Sequence, residues 1–125
     1  MNSGTKRILL VEDSEDSRFS LSKLLQLEGY LVLEAADGAQ AIQIATRDQP
    51  DLILMDLSLP VVDGLTATRT IREAPELAGT PIIALSGHDA TDFGSDAQEA
   101  GFTSYATKPV DFDALINMLS KYLSD

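Results

Sequence analysis

Glu12 and Asp13 are adjacent carboxylates, Asp56 is a third, Ser86 brings a hydroxyl and Lys108 an ammonium, and each follows a short segment that reads as a strand. Singly, each has an ordinary explanation: Asp13 caps a helix, Asp56 ends a strand, Ser86 belongs to a turn and Lys108 to the solvated surface. Brought to one crevice, they form a carboxylate cluster with a hydroxyl and an ammonium, which is costly unless a cation neutralises the acids. Oxygen donors without His or Cys select Mg²⁺, Mn²⁺ or Ca²⁺. Few carboxylates, with room for waters and phosphate oxygens, favour Mg²⁺. In such a site Asp56 is a nucleophile, Lys108 stabilises charge on an incoming phosphoryl group, and an aspartyl phosphate is the expected product.

Convergence depends on the elements. The runs Ile8–Val11, Leu31–Leu33, Leu52–Met55 and Ile82–Leu85 read as strands, and Thr103–Thr107 as a fifth. The first, third and fourth are apolar without alternation, as parallel strands covered on both faces require. The second, followed by Glu34, and the polar fifth suit sheet edges. Helical spacing connects them at Leu21, Leu24 and Leu25; at Ala41, Ile42 and Ala45; at Thr68 and Ile71; at Phe93, Ala97 and Ala100; and at Phe112, Leu115, Ile116 and Leu119. Phe19, Leu27 and Ile44 fall off these stripes. Asp13-Ser14, Asp37-Gly38 and Asp63-Gly64 offer capping or turn chemistry, Gly29 and Gly101 stand where helices should stop, and Ala74–Thr80 reads as a loop.

Five strands alternating with five helices predict an α/β doubly wound parallel sheet, flavodoxin-like, in the order 2-1-3-4-5. The switch point of that order lies between the carboxyl ends of strands 1 and 3, where Glu12, Asp13 and Asp56 stand.

These motifs resemble the receiver domain of two-component response regulators, of the single-domain, chemotaxis-regulator-like kind, over essentially the whole chain. They are Ile8–Asp13, Asp51–Pro60 with Asp63-Gly64, Pro81–Gly87 and Tyr105–Pro109. The resemblance implies that a histidine kinase or histidine phosphotransfer protein donates a phosphoryl group to Asp56. It implies Mg²⁺ held by Asp13, Asp56 and the main-chain carbonyl of Ser58, with Glu12 acting through water. It further implies that Ser86 turns toward the phosphate and Tyr105 swings inward, altering the face of the fourth helix, fifth strand and fifth helix for a downstream protein target. Ser58 and His88 occupy positions similar to those that tune phosphate lifetime, and the Lys108-Pro109 bond is expected to be cis. The chain departs from the commoner pattern at Glu12, often aspartate in the family, and at Ser86, often threonine. The Asp63–Arg69 segment is similar to receivers from phosphorelays.

Composition narrows the alternatives. At 125 residues the chain suits one domain, read as a receiver over 1–125 with no output domain following it. Twenty acidic against nine basic residues, a net charge of −11, repel nucleic-acid and membrane phosphates at long range. No apolar run approaches the ~20 residues of a membrane span, and the start lacks an export signal. Zero cysteines exclude disulfides and thiolate zinc sites and are compatible with a reducing cytoplasm. A flavodoxin-like cofactor binder would need a first loop that welcomes phosphate, whereas Glu12–Asp16 repels it. A phosphatase working through an aspartyl phosphate would need a second acid two residues after Asp56, where Ser58 stands. The remaining alternative is a receiver-like module that binds its partner without phosphorylation.

Overall fold

The computed structural model of the chain describes residues 4–57, 59–86 and 95–123, the side chains of 95 and 96 excepted. The elements run β1 (Arg7–Val11), α1 (Glu15–Leu27), β2 (Leu31–Ala35), α2 (Gly38–Asp48), β3 (Leu52–Asp56), α3 (Gly64–Arg72), a 3₁₀ turn (Pro75–Leu77), β4 (Ile82–Ser86), α4 (Ser95–Ala100), β5 (Ser104–Thr107) and α5 (Phe112–Leu123). All strand pairs are parallel and the order is β2-β1-β3-β4-β5, as expected from the alternation.

The central strands lack alternation because successive side chains enter two different cores. Leu9, Val11, Ile53, Met55, Ile82 and Ala84 face α2, α3 and α4, where Ala41, Ala45, Ala67, Ile71, Ala97 and Ala100 meet them. Ile8, Leu10, Leu52, Leu54, Ile83 and Leu85 face α1 and α5, against Leu25, Leu115 and Leu119. Each of these strand side chains is fully buried, and burying one Leu or Ile stabilises by roughly 1.5–3 kcal/mol. This double burial makes the carboxyl edge of the sheet a rigid platform.

Helix starts follow the capping residues. Ser14, Asp37 and Asp63 each accept a hydrogen bond from the main-chain N–H three residues on, at Ser17, Gln40 and Thr66. Gly29 and Gly101 stand just past α1 and α4 with φ of +97° and +111°.

Two expectations are corrected. The segment predicted as a loop at Ala74–Thr80 contains the 3₁₀ turn, because buried Leu77 joins the core beneath α3. Leu24 leaves its predicted stripe and is 37 % exposed, because at 13 residues α1 buries only Ser22 and Leu25 fully. Ile44, off the stripe, is half-buried against the first core, whereas Phe19 and Leu27 lie on the outer surface. Phe93 lies outside the described residues.

Among the described residues, Thr68 Oγ1 in α3 is buried without a hydrogen-bond partner. An unsatisfied buried hydroxyl costs about 1–3 kcal/mol, whereas an isosteric methyl there costs nothing in hydrogen bonding. Thr68→Val is therefore expected to raise stability by about 1 kcal/mol, read as a higher urea midpoint at unchanged slope; a lower midpoint would contradict the assignment.

Candidate functional site

Parallel register lines up the carboxyl ends of the strands. Val11 pairs with Met55, so Glu12 stands level with Asp56, and Asp56 pairs with Leu85, so Ser86 lies one residue beyond. Glu12, Asp13 and Asp56 each offer a carboxylate oxygen within 4.8 Å of the others. Glu12 and Asp56 are buried, at 3 % and 4 % exposure, while Asp13 opens to solvent.

Lys108 enters the pocket from the end of β5. Its Nζ donates to Asp56 Oδ2 at 2.9 Å and to Glu12 Oε1 at 3.0 Å, and its main-chain N–H donates to the carbonyl of Ser86 at 2.7 Å. The Lys108-Pro109 bond is cis, as expected. Glu12 Oε2 accepts from the Ser14 N–H at 3.1 Å. Burial pushes the Glu12 carboxyl above its ordinary value and the nearby Asp56 charge adds to the push, against the opposing pull of the Ser14 and Lys108 hydrogen bonds. Burial also disfavours the Lys108 ammonium, but its hydrogen bonds to Asp56 and Glu12 prevail and raise its pKa.

Close approach governs the loop that follows Asp56. A Cβ on Gly64 would sit 2.3 Å from the main-chain oxygen of Asp56, so only glycine lets α3 start against Asp56. The Gly64 N–H donates to the carbonyl of Leu57 at 3.3 Å, and the Leu57 N–H donates to that of Leu85 at 3.1 Å. Gly38 is pressed harder still on Val62 of the same loop.

The sequence-predicted residues Glu12, Asp13, Asp56, Ser86 and Lys108 thus gather at one edge. Ser86 is buried at the end of β4, and Tyr105 is half-buried on β5, packed on the first core. Ser58 and His88 lie outside the described residues. Sequence reasoning missed Arg18, whose Nη1 donates to the main-chain carbonyl of Glu12 at 2.8 Å. Its position one turn into α1 after two acids is the available signal; its partner on β2, Glu34, appears only with the register.

All three pocket acids offer hard oxygen donors, and one ammonium leaves them undercompensated, so the donor set fits a divalent cation such as Mg²⁺. No helix among the described residues is long and apolar enough to cross a membrane.

Comparison with known proteins agrees. Residues 8–120 match the response regulator receiver domain. The chain is 31% identical over 118 residues to the protein PilH of Pseudomonas aeruginosa, covering 94% of this chain and 98% of PilH. The receiver domain of the sensor histidine kinase PA1611 from the same species, solved with magnesium coordinated in its active-site cleft, superposes with a TM-score of 0.90. It is 36% identical over 98% of this chain and 100% of that one. The receiver domain of Saccharomyces cerevisiae Ssk1, solved with the histidine phosphotransfer protein Ypd1, gives a TM-score of 0.86 at 27% identity over 94% of this chain and 88% of the other. The chain belongs to the response regulator receiver domain family of two-component signalling.

A raised Glu12 pKa means that folding favours its protonated form. That contribution to stability is full below the ordinary value of 4.5 and is lost as the pH rises through the raised value. The melting temperature of Glu12→Gln, measured against wild type without divalent cations, should therefore gain on wild type as the pH climbs from 4.5; a constant gap would contradict the shift.

Proposed function

We propose that this receiver accepts a phosphoryl group on Asp56 from a phosphohistidine of a histidine kinase or histidine phosphotransfer protein in the cytoplasm, and answers by changing its surface toward a protein target. The observation that carries the reading is the Lys108 ammonium bridging Glu12 and Asp56 beside an acidic cluster of cation-binding composition. In the transfer, an Asp56 carboxylate oxygen forms a bond to phosphorus while the phosphorus–nitrogen bond to the donor imidazole breaks, and the imidazole leaves with the electron pair. Asp13, Asp56 and the main-chain carbonyl of Ser58 would hold Mg²⁺, with Glu12 acting through water, and the ion would supply charge compensation for the phosphoryl oxygens. Lys108 is placed to release one hydrogen bond to a carboxylate and make one to a phosphoryl oxygen.

A phosphoryl group adds about two negative charges and three strong acceptors. Ser86 and Lys108, linked through the Ser86 carbonyl, are the groups that would respond. Tyr105, opposite Ala84 on β5 and packed against the first core, would relay the change to the face of α4, β5 and α5 as a two-state switch. Ser58 and His88 are proposed to govern access of water to the phosphoryl group, and decay rates unchanged in substitutions at both would contradict that role.

The donor must reach the pocket from outside. A groove of about 630 Å³ between α1 and the segment after β5 includes Glu12 and Lys108 in its wall, with Leu21, Leu24, Pro109 and Val110 as apolar lining. A donor protein seated there would present its phosphohistidine next to Asp56.

Intact-mass measurement with acetyl phosphate tests the reaction. A phosphoryl adduct that requires Mg²⁺ and is lost in Asp56→Asn is expected; no adduct under any condition would instead favour a module that binds its partner without phosphorylation. Leu24→Lys should keep the acetyl phosphate adduct but slow transfer from a phosphorylated histidine phosphotransfer protein about tenfold, the equivalent of about 1.4 kcal/mol. Equal transfer would remove the groove from the docking surface.

A further inference from the structure

Arg18 divides its guanidinium between two elements. Nε donates to Glu34 Oε1 on β2 at 3.1 Å, while Nη1 donates to the main-chain carbonyl of Glu12 at 2.8 Å. Its side chain is only 17 % exposed, and Ser22 Oγ, one turn further along α1, donates to the other Glu34 oxygen at 3.2 Å. The Glu12 N–H donates to the carbonyl of Ala35 at 3.1 Å. Both polar groups of the Glu12 main chain are thus held, the N–H by β2 and the carbonyl by Arg18. That carbonyl belongs to the peptide unit joining Glu12 to Asp13, so Arg18 grips the link between two of the three pocket acids.

We propose that Arg18 is a positioning residue for the divalent-cation site: by holding the Glu12–Asp13 peptide against α1 and β2, it keeps the two carboxylates converged with Asp56 before a cation arrives. The inference rests on the reading of the acidic pocket as a Mg²⁺ site. Without the grip, the junction between β1 and α1 would have to be ordered at the expense of binding, because three like charges favour spreading apart. Glu34 has a part in the same device. A bare guanidinium near the pocket would repel a cation, and the Glu34 carboxylate neutralises that charge while leaving Nη1 free to bond the Glu12 carbonyl.

The sign of one substitution separates positioning from simple electrostatics. Were Arg18 only a nearby positive charge, Arg18→Met would relieve repulsion and tighten Mg²⁺ binding. As a positioning residue, its loss weakens binding, and supports of this kind are typically worth ~10–100-fold in metal affinity. Arg18 reaches Glu34 and the Glu12 carbonyl through two separate nitrogens held in a rigid fork, whereas a lysine must serve both from one flexible ammonium, so Arg18→Lys should fall between.

The experiment is Mg²⁺ titration by calorimetry of the full chain as wild type, Arg18→Met and Arg18→Lys, with melting temperatures to verify folding and amide exchange of Ser14 followed without Mg²⁺. The expected result is a Kd raised about tenfold or more in Arg18→Met and partly recovered in Arg18→Lys, with faster Ser14 exchange as the Glu12 carboxylate releases that N–H. A folded Arg18→Met with an unchanged or lower Kd would overturn the inference. If Arg18→Met does not fold, Arg18→Lys decides: a raised Kd supports the inference and a wild-type Kd overturns it. Failure of the underlying reading looks different, because wild type itself would then give no Mg²⁺ response.

Discussion

Three carboxylates converge at the carboxyl edge of the sheet, and among the described residues Lys108 is the cation that pairs with two of them. Two unit charges about 4 Å apart interact by about 4 kcal/mol at an effective dielectric near 20. One ammonium against three converging carboxylates leaves the pocket short of positive charge. Burial, with the nearby Asp56 charge adding to it, makes Glu12 hold its proton more tightly than usual. A divalent cation would supply the missing charge.

Such crowding persists only if the backbone cannot relax. The doubly buried strands β1, β3 and β4 prevent relaxation from below, since shifting any of them would open both cores at once. From the side, α3 starts directly on the Asp56 carbonyl by way of Gly64, and α1 is bonded to the Glu12 carbonyl through Arg18. Lys108 is anchored through its own N–H to the carbonyl of Ser86. The parallel α/β architecture therefore holds the charged groups at the carboxyl edge of a rigid sheet.

Much of this was legible in the chain. Ile8–Val11, Leu52–Met55 and Ile82–Leu85 lack alternation because both faces of the sheet are covered, and that single feature leads to central parallel strands, the strand order and the place where Glu12, Asp13, Asp56, Ser86 and Lys108 meet. What escaped depends on register between distant segments. Arg18 and Glu34 pair only because β2 lies beside β1 with Glu34 opposite Leu10, on the face that α1 covers. Leu77 reads as part of a loop, yet it is buried because the 3₁₀ turn folds under α3. Leu24 fits a helical stripe, yet it borders the groove beside the pocket.

The most direct measurement of the central claim is the melting temperature of the wild-type chain at neutral pH in EDTA and in rising Mg²⁺, beside that of Asp13→Asn. Binding to the folded state alone stabilises by about 2.7 kcal/mol at a hundredfold excess over Kd. The pocket described here predicts a rise of several degrees that saturates with Mg²⁺ and is much reduced in Asp13→Asn. A wild-type melting temperature indifferent to Mg²⁺ would contradict it.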